Sequence, residues 1–149
     1  IWGDRLIDGK TTGVGLWEGS YNNTHRAIDM IPKSVFVCDW HYNRAEPTSV
    51  YFAMKGFDVA TSPWNNQQVA ATQLKNMIEY RAQSNAVTGE HFRGIVTTVW
   101  SGAEAFMKSY YNPETYKETG SETDPAQQNR GGDARTLKLL IEEFKKLNK

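Results

Sequence analysis

At 149 residues the chain is long enough to bury one sizeable hydrophobic core. Its 17 acidic and 17 basic residues cancel, so no net field draws it to nucleic acid or to an anionic membrane, and partners recognised by shape and hydrogen bonding are expected. No apolar run approaches the roughly 20 residues that cross a bilayer, no signal-peptide pattern opens the chain, and the single Cys38 excludes an internal disulfide.

Ile1-Trp2-Gly3-Asp4 reads as the last part of a strand. With no initiator Met and no polar lead-in, this opening predicts a piece of a longer protein, cut between repeating units. Glycine-rich loop follows through Asn23, then Thr24 to Ile31 places Ala27, Ile28 and Ile31 at helical spacing before Pro32 stops it. Val35-Phe36-Val37-Cys38 is a run suited to a strand buried on both faces, and it turns at once into Asp39-Trp40-His41-Tyr42. Pro47-Thr48-Ser49 opens a short helix, Val50 to Lys55, with Gly56 as its stop.

The pattern then repeats. Phe57 to Thr61 predicts a third strand, Ser62-Pro63-Trp64 its loop, and Gln67 to about Ala86 the clearest helix, with Val69, Ala70, Leu74, Met77, Ile78 and Ala82 on one face. Gly94 to Ser101 predicts a fourth strand, reaching Trp100, and Ala103 to Tyr111 returns as helix. Residues 112–132 are polar, with Pro and Gly, and read as a linker. Asp133 caps a last amphipathic helix over 133–149, with Leu137, Leu140, Ile141, Phe144 and Leu147 inward.

Alternation of this kind predicts an α/β fold of four parallel strands and intervening helices over 1–111, half of a TIM (β/α)8 barrel, plus the C-terminal helix. Barrel active sites lie at the C-terminal ends of strands. Asp4, Asp39, Trp40, His41, Trp64, Trp100 and Glu104 all fall there. Five Trp and seven Tyr make the chain rich in aromatics, and Trp repeated at strand ends predicts a flat-faced pocket rather than plain packing.

Four motifs in order, Trp2-Gly3-Asp4-Arg5-Leu6, Cys38-Asp39-Trp40-His41-Tyr42, Gly56-Phe57 through Pro63-Trp64, and Thr97-Thr98-Val99-Trp100-Ser101, resemble the C-terminal half of the barrel in glycoside hydrolase family 20, the β-N-acetylhexosaminidase group. The resemblance covers about residues 1–111, strands five to eight of such a barrel. It implies that Trp2, Trp40, Trp64 and Trp100 wall a subsite for an N-acetylated hexose, their indoles stacking on the apolar C–H face of the sugar. It implies that Asp4, Asp39 and His41 also serve the saccharide, that no cofactor or metal is needed, and that the setting is periplasmic or secreted. Glu104 stands near the family's hydroxyl-binding carboxylate, although it lies four positions past Trp100 where the family commonly places that acid two positions past its Trp.

The catalytic pair of that family, an adjacent Asp-Glu, belongs upstream of Ile1, and no Asp-Glu dipeptide occurs in the sequence. The nearest dyad, Glu142-Glu143, lies on the last helix. The expectation is a fragment carrying the sugar-binding wall of a glycoside hydrolase, inactive alone and partnered by a missing N-terminal half-barrel or by a second copy of the chain. Two other readings stay open. Asp4 and Asp39 could form a glycosidase pair within the chain, because neighbouring barrel strands can hold carboxyls roughly 5–10 Å apart. Alternatively the chain is a non-catalytic carbohydrate-binding or assembly module that dimerises through its open sheet edges.

Overall fold

The computed structural model describes residues 1–14, 22–113 and 132–147. Trp17 and nearly all of the expected linker, residues 114–131, lie outside them. Three short strands, β1 (Val37–Asp39), β2 (Val59–Thr61) and β3 (Phe92–Ile95), form a parallel sheet in the order β1-β2-β3. A fourth parallel segment is reduced to one bridge, Trp2 to Cys38, with the Cys38 amide donating to the Ile1 carbonyl at 2.7 Å. The chain is therefore α/β, with its parallel segments in sequence order across the sheet.

The ladder is shorter than the apolar runs for local reasons. Between β2 and β3 the register slips, Val59 facing Phe92 and Ala60 facing Gly94, so Arg93 bulges out, and Gly94 supplies the φ of +121° that few other residues adopt. Beyond Ile95 the fourth strand continues one-sidedly. The Val96 amide donates to Thr61 O and the Thr98 amide to Pro63 O, both at 2.9 Å. Pro63 has no N–H to give back. The fourth strand thus begins two residues earlier than the sequence suggests, and residues 97–101 run as loop.

Helices α1 (Gly9–Thr12), α2 (Thr48–Met54), α3 (Gln67–Gln83), α4 (Ala86–Gly89), α5 (Ala103–Tyr111) and α6 (Gly132–Leu147) are joined by 3-10 turns at Gly3–Leu6 and Thr24–Asp29. The short helices α1 and α4 are absent from the sequence reading. Asp8 caps the first, accepting from the Thr11 amide and hydroxyl, and Asn85 caps the second. Asn66 caps α3 through the Val69 amide.

α2 and α3 pack on the sheet, and α6 packs on α3 and α5. Val37, Phe52, Phe57, Val59, Met77 and Phe92 build the main core, each side chain contributing about 1.5–3 kcal/mol on burial. A second cluster joins Ala70 and Leu74 of α3 to Leu140 of α6. The apolar face expected of α3 is correct at Val69, Ala70, Leu74 and Met77, but Ile78 is half-exposed and Ala82 exposed. On α6, Phe144 and Leu147 are likewise exposed, Leu147 at the rim of an open groove between α6 and α3. Gly3 touches this core most closely: a Cβ there would sit 2.8 Å from Phe52 Cζ and 3.1 Å from Val37 Cγ1.

Candidate functional site

The C-terminal ends of the parallel segments surround a cavity of about 280 Å³ lined by Trp2, Asp4, Trp40, Tyr42 and Trp100. Trp2 comes from one outer segment and Trp100 from beyond the other, yet their rings meet at 6.4 Å. Tyr42 links the remaining aromatics. Its ring lies 5.0 Å from Trp40 and 5.5 Å, edge-on, from Trp64, and its hydroxyl accepts from Trp100 Nε1 at 2.7 Å. Such tilted and edge contacts suit the charge distribution of the rings and hold the wall in one shape.

Tyr42 is missing from the residues singled out by sequence. The available signal was alternation: two residues past Trp40 in extended chain, it points to the same side. Trp64 stands behind Tyr42 rather than on the cavity surface.

Asp39 and His41 serve a different purpose here. Asp39 is 1% exposed and accepts from Thr48 Oγ1 at 2.8–2.9 Å, and His41 Nε2 lies 3.2 Å from its carboxylate and 2.8 Å from the same hydroxyl. Gln73 of α3 donates to the His41 carbonyl at 2.8 Å. These contacts tie the end of β1 to α2 and α3 and fix the chain direction just before Tyr42. Neither side chain lines the cavity. Asp4 does and Asp39 does not, so the two carboxylates do not flank one opening.

Glu104 is also outside the cavity. Its side chain is 81% exposed on α5 and pairs with Lys108 at 2.6 Å, a bond that holds its carboxyl below the usual range. The four-residue gap after Trp100 has carried it onto the outer face of a helix.

Asp133 acquires a role that sequence spacing could not reveal. Instead of capping its own helix it accepts from the amides of Trp100 and Ser101 at 3.3 and 3.2 Å and from Ser101 Oγ at 2.9 Å. The carboxylate is 1% exposed and latches the Trp100 loop to α6. A contact spanning more than thirty residues leaves no local pattern to read.

Several polar atoms at this end have no partner among the described residues: Thr61 Oγ1, Ser62 Oγ, Trp64 Nε1 and Gln73 Oε1. Buried groups of this kind are ordinarily met by ordered water or a ligand. Among the described residues no group of three or more His, Cys, Asp and Glu could hold a metal ion, and no helix is long and apolar enough to cross a membrane. The chain matches no family model, and no curated protein matches it.

Proposed function

We propose that the chain is the C-terminal half of a (β/α)8 barrel of the glycoside hydrolase family 20 type, and that its aromatic cleft is the wall of a subsite for an N-acetylated hexose. One observation carries the reading: Trp2, Trp40 and Trp100, from three separate segments, meet around one cavity together with Asp4. Parallel segments laid down in sequence order, with the outermost aromatics in contact across the cleft, support the half-barrel. The cleft binds and orients sugar. Without an Asp-Glu pair, the chain alone does not hydrolyse the glycosidic bond.

Titration of tryptophan fluorescence with N-acetylglucosamine tests the subsite, and a saturable quench or shift is expected. No change at high millimolar sugar removes it. Turnover of a p-nitrophenyl N-acetylhexosaminide at a clear multiple of background would overturn the assignment of the chain as non-hydrolytic.

A second reading, a carbohydrate-binding or assembly module that pairs with another copy, draws on the sheet edges. Ile1 and Val96 are 52% and 44% exposed there, and open strands present unpaired backbone groups. Light scattering separates a monomer from a dimer.

A further inference from the structure

Neither Asp39 nor His41 lines the cleft, yet the protons between them can be placed. Thr48 Oγ1 lies 2.9 and 2.8 Å from the two Asp39 oxygens, so the carboxylate straddles the hydroxyl and takes its one proton. His41 Nε2 reaches the same Oγ1 at 2.8 Å and Asp39 Oδ1 at 3.2 Å. With the Thr48 proton spent, Oγ1 meets Nε2 as an acceptor, and an ionised carboxylate only accepts. A bare lone pair on Nε2 would face both acceptors with no proton between them. Asp39 is 1% exposed, and a carboxylate so withdrawn from water is costly unless donors meet it. Thr48 supplies one, and His41 Nε2–H is placed to supply the next.

We infer that His41 is a positioning residue for the aromatic wall, carrying its proton at Nε2 and donating it into the Thr48–Asp39 pair. Trp40 and Tyr42, two of the five residues lining the cleft, are its immediate neighbours in the chain, and their rings meet at 5.0 Å. Residues 40–47, between β1 and α2, are neither helix nor strand. The clasp ties this stretch to α2 through Thr48, and Gln73 ties it to α3 by donating to the His41 carbonyl at 2.8 Å. Trp40 and Tyr42 project from either side of the anchored residue, so the tilt of their rings follows the course of its backbone. Tyr42 passes the effect to Trp64 by its edge contact and to Trp100 through its hydroxyl. A side chain at position 41 without that proton therefore loosens the wall while every group lining the cleft is retained. The consequence for sugar binding rests on the saccharide reading; the placement of the proton and of the rings does not.

The variants His41→Gln and His41→Met separate the proton from the packing, because the two side chains are of similar length and only glutamine offers an N–H at the reach of Nε2. In tryptophan-fluorescence titrations of the full chain with N-acetylglucosamine, His41→Gln is expected to stay within about threefold of the wild-type chain and His41→Met to bind about tenfold more weakly, the size of effect of a hydrogen bond to a charged group. The near-ultraviolet circular dichroism of the Trp40–Tyr42 pair should be kept by His41→Gln and fall in His41→Met, with far-ultraviolet spectra unchanged. Equal behaviour of the two folded variants in both measurements overturns the positioning role. No sugar response from the wild-type chain removes the saccharide reading, and the circular dichroism comparison alone then decides the role of His41. Nitrogen-15 NMR of the wild-type chain at neutral pH should show a proton on His41 Nε2. An unprotonated Nε2 overturns the inference even where neither variant folds.

Discussion

The two ends of the sheet are built from opposite materials. At the N-terminal ends of β2 and β3 charges are matched: Asp58 receives Arg93 at 2.9 Å and His91 at 3.0 Å, and Arg81 reaches both Glu90 and the Phe92 carbonyl at 3.0 Å. Lys33 stands 3.9 Å over the Phe57 ring. At the C-terminal ends the aromatics gather beside Asp4, and among the described residues Ser62, Thr61 and Trp64 have unmet polar atoms. A fully paired end has nothing left to offer a ligand, whereas an end with unmet groups is less stable alone and able to bind. On the half-barrel proposed above, the division is that of a lower face that holds the fold and an upper face left for binding.

Substitutions can break or sharpen this contrast. Phe52, 0% exposed, lies beneath both ends, and Phe52→Ala should cost about 3–5 kcal/mol, read as a lower urea midpoint, with ligand response lost in proportion to unfolding. Asp133→Ala should act on one end alone. Leaving the Trp100 and Ser101 amides unmet costs about 2 kcal/mol and loosens the loop, so the near-ultraviolet circular dichroism of the Trp2–Trp100 contact and the sugar response should fall together while the chain remains folded. Preserved binding in folded Asp133→Ala would show that the latch does not shape the wall.

The smallest effect belongs to the other end. Arg93, and then His91, hold the Asp58 carboxyl below its ordinary value of 3.8. Because the folded value is the lower one, this stabilisation is complete above the ordinary value and drains away as pH falls through the folded one. Asp58→Asn should cost about 1 kcal/mol or less near neutrality and flatten the acid limb of the stability profile, leaving cleft titrations unchanged. An altered sugar response in that variant would mean that the two ends are coupled.

Much of this architecture is visible in the chain, because buried parallel strands announce themselves as apolar runs. Val37, Val59, the helix from Gln67 and the helix Ala103–Tyr111 are legible for that reason. Strand ends are not, since they depend on which backbone groups find partners: Pro63 withholds a donor and Arg93 bulges, and neither event shows in hydrophobicity. The site divides similarly. Trp2, Trp40 and Trp100 could be placed by their position after strands, and Asp4 with them. Asp39 looks identical to Asp4 in sequence, but Thr48 nine residues on has claimed it, and only the packing of α2 against β1 reveals that.

The hydrogen atom that is the whole side chain of Gly3 lets the chain between two residues of the cleft, Trp2 and Asp4, lie close on the core. With Phe52 and Val37 crowding that position, a larger residue there forces either the Phe52 ring or the backbone that carries Trp2 and Asp4, its immediate neighbours, to shift. Indole and carboxylate thus share one pivot: a backbone shift at Gly3 that retunes this mouth displaces both groups together.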